Sequence, residues 1–234
     1  MADRHLSSQF DSELDDVAAR VQALGGLVQS QVDRAVLALA QSDLDIALDV
    51  QAEEARVNAM EIDIDHELVS IMARRQPNAR DLRLLIGIAK TTANLERVGD
   101  EAAKIARMAQ AIIGSGAART LPSSEIATEA RLAIGLLHEA LGALARLDAG
   151  AARALLQEDD RIDSEFGDFM RKLVTYMMGD PRTISASLDL LFIAKAIERV
   201  GDHAQNIAEF VVYIVEGTDL RHLPAADPAG PVAA

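Results

Sequence analysis

The sequence has no cysteine and no tryptophan, and aromatic residues fill 3% of its 234 positions. Without cysteine there is no disulfide framework and no thiolate metal site, and nothing points to an oxidising compartment. Long apolar runs are also missing. Phe210–Val215 is typical of the longest, far short of the roughly 20 residues that a membrane span needs. The N-terminus, M-A-D-R-H-L-S-S, has no apolar stretch, so it does not read as a secretory signal. Basic residues are outnumbered, 23 against 37 acids, which gives a formal net charge of −14. Such a chain, with no basic block, repels phosphate backbones, and nucleic acid is not expected as a partner. Free phosphate is disfavoured for the same reason unless a cation mediates. A cytoplasmic, helical protein is the expectation.

What is present favours helix: 42 alanines, half of all residues apolar, and only six prolines. Proline-free stretches with apolar residues three and four apart predict long helices at 6–42, 45–75, 79–113, 124–147, 150–178 and 182–216. Gly114-Ser115-Gly116 closes the third. Leu121-Pro122-Ser123-Ser124 is expected to cap the fourth, and Asp180-Pro181 the sixth. The Pro- and Ala-rich end, 223–234, is expected to be a disordered tail. A helix of about 30 residues is ~45 Å long and needs equally long neighbours. Its stripe, such as Val57, Met60, Ile64, Leu68 and Ile71, is then buried in a bundle.

The chain repeats itself. Residues 96–107 read E-R-V-G-D-E-A-A-K-I-A-R and residues 198–209 read E-R-V-G-D-H-A-Q-N-I-A-E, identical at eight of twelve positions. E-E-A-R-V-N (53–58) likewise matches E-D-D-R-I-D (158–163). The fold class is therefore all-α: two pseudo-symmetric three-helix bundles, residues 1–115 and 116–222, followed by the tail.

In each copy a Glu and an Asp lie four apart, so Glu96/Asp100 and Glu198/Asp202 each share a helix face. Like charges at that spacing cost a few tenths of a kcal/mol. Gly99 and Gly201 between them cost about 1 kcal/mol each in a helix interior. A defect repeated in both halves implies a close helix crossing or room for a ligand. Helix two adds a polar stripe of Glu54, Asn58, Glu61 and Asp65, while helix five has Asp159 and Asp163 but Phe166 where Glu61 stands. Antiparallel packing would bring these oxygens together, a donor set suited to Mg²⁺, Mn²⁺, Ca²⁺ or Fe³⁺, with Zn²⁺ possible. The plainer alternative is a solvated face with intrahelical pairs Asp100–Lys104 and Arg97–Glu101.

The five histidines, His5, His66, His138, His203 and His222, show no catalytic spacing. His66 and His203 stand beside Asp65 and Asp202 as auxiliary ligands at most, and solvent-facing positions are favoured for both. No phosphate-binding glycine loop, H-E-x-x-H or nucleophile motif occurs. A carboxylate-bridged di-metal helical-bundle oxidase is the enzyme alternative. It needs paired Glu-x-x-His, and the nearest pattern, D-I-D-H at 63–66, occurs once.

With these motifs assembled, the chain resembles the PhoU family of phosphate-transport regulators. The likeness is carried by R-R-Q-P…D-L-R-L (74–84), N-L-E-R-V-G-D (94–100), Y-M-M-G-D-P-R-T-I (176–184), I-E-R-V-G-D-H-A-Q-N-I-A-E (197–209) and V-E-G-T-D-L-R-H (215–222). It implies two three-helix bundles and no enzyme. It also implies a negative regulator of the phosphate-starvation response and of phosphate uptake. Such a protein acts as a cytoplasmic adaptor between the ATPase of a phosphate ABC transporter and a sensor histidine kinase. It is peripheral to the membrane through its partners, and a homodimer is expected. The likeness further implies iron or zinc clusters on E(D)-x-x-x-D faces, here Glu96/Asp100, Asp159/Asp163 and Glu198/Asp202. At the fourth place Glu54 is followed by Asn58 rather than Asp, with Glu61 as the substitute. Arg97, Gly99, Arg199, Gly201 and Asn206 are the motif and packing positions that accompany them.

Overall fold

The computed structural model describes residues 8–75, 77–119, 121–123, 125–157 and 160–220, and no strand occurs among them. The first repeat contains α1 (Ser8–Gln41), α2 (Leu44–Ala52), α3 (Glu54–Arg75) and α4 (Ala79–Gly114). The second contains α5 (Ile126–Arg146), α6 (Ala149–Leu155), α7 (Asp160–Gly179) and α8 (Ile184–Glu216). Short 3₁₀ turns lie at Ala117–Arg119 and Pro181–Thr183. The expected tail, residues 223–234, lies outside the described residues.

Two of the six expected helices are divided. In the first repeat Asp43 caps α2 by accepting bonds from the amides of Asp45 and Ile46. Asp148 caps α6 in the same way through Ala151. Helices this short are marginal alone. Burial of Ala47 and Val50, and of Ala152 and Leu155, holds them in place. After α2 the chain turns at Glu53, whose carboxylate is held by Arg34 of α1 at 2.8 Å. Neither break carries glycine or proline, so tertiary contact rather than local propensity makes it.

The caps differ from expectation at one place. Glu125, not a serine, stands at the start of α5 and makes no side-chain cap bond; it pairs instead with Lys172 of α7 at 2.8 Å. Ser124 lies outside the described residues. Asp180 does cap, accepting from the Arg182 amide ahead of Pro181, and the turn it opens leads directly into α8. Asn78, unremarked in the sequence, caps α4 through the amides of Arg80 and Asp81.

The centre of the molecule is the contact between α4 and α8, the most extensive of any helix pair. A Cβ on Gly87 would meet Ile214, Asn94 meets His203 and Asn206, and Glu101 meets Arg199. Numbers rise along one helix as they fall along the other, so the pair is antiparallel. α1 packs on α4, α5 on α8, and α1 on α5, which makes these four the inner bundle; α2 with α3 and α6 with α7 flank it. One continuous apolar core runs through both repeats, from Val17 and Leu24 on α1 to Val211 on α8.

Gly99 is explained by packing. A Cβ there would lie 3.0 Å from Val57 Cγ1 and 3.5 Å from Val28 Cγ1, so α1, α3 and α4 meet at this point. Gly201 is buried on α8 at the matching position.

Candidate functional site

α3 and α4 carry the carboxylates of the first repeat to one face. Glu61 and Glu96 are half-buried and Asp100 is exposed. Burial raises the Glu96 pKa above its ordinary value, and the charges of Asp100, Glu61 and Glu54 add to the rise. Burial likewise raises Glu61, helped by Asp65 and Asp100. Arg97 opposes both shifts, yet among the described residues it forms no ion pair within 4 Å, and neither do Glu61, Glu96 or Asp100. The intrahelical pairs Asp100–Lys104 and Arg97–Glu101 are therefore not made. Lys104 turns to Glu101 at 3.4 Å. Glu54, at the edge of the face, pairs with Arg107 at 3.5 Å. Asn58 is half-buried, and its Oδ1 is enclosed without a hydrogen-bond partner.

The second repeat is arranged differently. Lys195 pairs with Glu198 and also lies over the Phe166 ring, 5.4 Å from its centre. Phe166 occupies the place of Glu61, and Lys195 occupies the place of Ala93. The motif face of this half is thus compensated by a lysine that the first half lacks. Asp202 is exposed. Asp159 lies outside the described residues; Asp163 is part of α7, but its side chain is also outside the description.

Between the two faces runs the α4–α8 seam. Arg199 crosses it to donate to Glu101 at 2.8 Å, so the motif arginine of one repeat anchors on the other. Shifting both residues by one repeat gives Arg97 and His203. Contrary to expectation, His203 does not face solvent; it is 5% exposed. Its Nδ1 lies 3.0 Å from Asn94 Oδ1, which also accepts from Asn206 Nδ2 at 3.2 Å. Asn94 Nδ2 donates to the Lys90 carbonyl at 2.8 Å, so Oδ1 is the acceptor and His203 Nδ1 carries the proton. Burial, with Arg199 and Arg97 nearby, lowers the His203 pKa to about 4. Its Nε2 is buried with no partner. The packing positions Arg199 and Asn206 are therefore seam residues. The seam roles of Asn94 and Glu101 were not legible in the sequence, because each meets a partner more than 90 positions away.

Crowded carboxylates that make no ion pair among the described residues, Glu61, Glu96 and Asp100, together with the unpartnered Asn58 oxygen, have the chemistry of a hard-cation donor set. As placed, no three His, Asp or Glu side chains among the described residues converge on one ion position. His66 and His138 are exposed on their helices. An apolar cleft of about 330 Å³ between α1, α4 and α5, lined by Leu14, Val21, Leu84 and Ile88 with Asp11 and Asp15, contains none of the motif residues. No helix among the described residues is long and apolar enough to cross a membrane.

Comparison with known proteins now places these features. A family model described as PhoU domain matches twice, at residues 21–109 and 126–211, one match in each repeat. A Burkholderia protein named phosphate-specific transport system accessory protein PhoU homolog is 48% identical over 224 residues, covering 95% of each chain. The Escherichia coli K12 protein named phosphate-specific transport system accessory protein PhoU is 43% identical, covering 94% of this chain and 90% of its own. The crystal structure of PhoU from Pseudomonas aeruginosa superposes with a TM-score of 0.82 at 44% identity, over 89% of this chain and all of that one. The phosphate transport system regulatory protein PhoU from Streptococcus pneumoniae gives 0.83 at 27% identity, over 90% and 99%. With the family model covering most of the chain and relatives matching nearly end to end, the chain belongs to the PhoU family.

Proposed function

We propose that this protein is an accessory regulator of phosphate transport that restrains the phosphate-starvation response and phosphate uptake when phosphate is plentiful. The observation that carries the reading is family membership over almost the whole chain, with relatives named as accessory proteins of the phosphate-specific transport system. It is an adaptor rather than an enzyme, cytoplasmic and held at the membrane through its partners. Those partners are the ATPase of a phosphate ABC transporter and a sensor histidine kinase. A rigid inner bundle that presents two motif faces suits that task, and the acidic surface steers it to basic partner surfaces. The first-repeat face, with its uncompensated charge, is the stronger of the two.

The same face is also the proposed place for a cation. Glu61, Glu96 and Asp100 would hold Mg²⁺, Mn²⁺, Zn²⁺ or an iron ion, with Glu54 and Asn58 at the edge; in the second repeat the candidates are Asp159, Asp163, Glu198 and Asp202. The ion would supply neutralisation of crowded charge. Metal analysis of protein purified without chelator tests this part. Affinity capture of the tagged chain from cells at high and low phosphate tests the rest. The kinase and the transporter ATPase should be recovered, and recovery of neither would refute the adaptor reading.

A further inference from the structure

The two repeats share a second signature beyond the acidic motif. R-T-L-P at 119–122 and R-H-L-P at 221–224 stand 102 positions apart, the same offset that separates the two E-R-V-G-D motifs. In the first copy the signature follows α4, and its leucine is structural: Leu121 is 7% exposed and part of the common core. Ala118 packs against that core just before it, and Leu220, 102 positions on, does the same after α8. Leu220 is the last described residue, three short of Leu223.

The end of the inner bundle where α8 finishes is the end that carries the apolar cleft of about 330 Å³. Its walls are Leu14 and Val21 near the start of α1, Leu84 and Ile88 near the start of α4, and Leu144 near the end of α5. Gly217 ends α8 in the left-handed region at φ 76°, and a Cβ on it would lie 3.7 Å from Cζ of Arg83, the neighbour of Leu84. Six residues lead from Gly217 to Leu223, an extended reach of about 20 Å. That exceeds the ~10–12 Å diameter of the helix to be rounded. The cleft is apolar inside and acidic at its rim, where Asp11 and Asp15 stand one turn apart on α1. An arginine two residues before a leucine complements this arrangement, and an apolar cavity of about 150 Å³ already takes a benzene-sized group.

We propose that the cleft is the binding site for this chain's own R-H-L-P segment. Leu223 enters between α1, α4 and α5, and Arg221 pairs with the rim of Asp11 and Asp15. The segment does at this end of the bundle what Leu121 does beyond the far end of α4. Leu223 then belongs to the core rather than to the tail expected from composition, and an apolar group from a partner reaches the cleft only by displacing it. The inference stands apart from the phosphate-regulation reading, because it concerns a contact within one chain.

The absence of cysteine makes a clean trap possible. In the full chain, His222→Cys is combined with Ala18→Cys, at an exposed position on the cleft wall. Disulfide formation under mild oxidation is followed by non-reducing electrophoresis and peptide mass spectrometry. A seated segment brings the two Cα atoms within the roughly 7 Å that a disulfide allows, so an intramolecular bond should form readily. Leu223→Asp in that background should slow it by about tenfold or more, the scale set by burying one leucine. Arg221→Glu should slow it by a smaller factor. In the cysteine-free chain, Leu223→Ala should shift the methyl resonances of Val21 and Ile88, and circular dichroism confirms that the helices of each variant persist. No bond, or a bond that forms as fast in the Leu223→Asp variant, overturns the proposal, since tethering alone would then account for it. So does a bond found only between two chains, which would give the cleft to a second copy, and so do methyl resonances that Leu223→Ala leaves unmoved.

Discussion

The two repeats share a backbone plan and a five-residue motif, yet they treat the motif's charge in opposite ways. In the first, Glu96 and Asp100 face Glu61 with only Arg97 opposing them, and burial and mutual repulsion raise the Glu61 and Glu96 pKa values. In the second, Lys195 neutralises Glu198 and covers Phe166. The same asymmetry recurs at the seam, where Glu101 of one repeat corresponds to His203 of the other. Duplication preserves the buried glycine that packing needs, along with the arginine, and lets the surface charge diverge. The first half keeps a charge that the fold does not need, which is where function is expected.

The largest test of this contrast concerns His203. Its folded pKa, about 4, lies below the ordinary 6.5. The stabilisation from its neutral form is therefore present above pH 6.5 and lost as pH falls through 4. At about 1.36 kcal/mol per pH unit the gap is on the order of 3 kcal/mol. Urea midpoints between pH 7 and 4 should fall steeply in the wild type and less in His203→Gln. Equal slopes would place the loss elsewhere. The first-repeat carboxylates work in the opposite direction: pKa values raised on folding favour the folded state at low pH, and this contribution is lost as pH rises through them.

Next in size is the response to cations. An ion at 100 times its dissociation constant adds about 2.7 kcal/mol to a protein that binds it only when folded. Mn²⁺ or Zn²⁺ should raise the melting temperature of the wild type, and Glu96→Gln with Asp100→Asn should remove most of the rise. A rise unchanged in that variant would move the cation site off this face.

Gly99→Leu sharpens the packing half of the comparison. The added side chain meets Val57 at once, and overpacking costs about 1–3 kcal/mol. Gly99→Ala should cost much less, because helix propensity offsets the tight contact. A neutral Gly99→Leu in thermal denaturation would show that the glycine is kept for a ligand rather than for packing.

The smallest expected effect is also the most specific. Glu96→Gln removes a like charge one turn from Asp100 and should stabilise the protein at pH 7 by a few tenths of a kcal/mol. Glu198→Gln should destabilise it or leave it unchanged, since its lysine partner is lost. The same sign in both variants, measured by urea denaturation, would erase the difference between the repeats.

Much of this architecture was legible in the sequence. The long apolar stripes and the duplicated motif led to paired bundles, and the mid-motif glycine to a close crossing, because both are local signals repeated twice. The split after Ala52 was not legible, since it is held by Arg34 of α1 reaching Glu53 at the turn, 19 positions along the chain. The burial of His203 was hidden for a related reason. Its neighbour Asp202 marks it as a surface position, but a helix turns by about 100° per residue and places the imidazole in the seam. The carboxylate face was found as a set of spacings; that Glu198 is paired while its counterpart Glu96 is not, among the described residues, depends on Lys195 and Phe166 meeting in space.

The most direct test of the central claim is repression of a phosphate-starvation reporter in cells that lack their own copy of the protein. Chains carrying Glu61→Gln, Glu96→Gln and Asp100→Asn should be expressed at wild-type level and lose most of the repression at high phosphate. Glu198→Ala with Asp202→Ala should derepress more weakly. Full repression by the first-repeat variant would contradict the claim that its acidic face is the surface through which this protein acts.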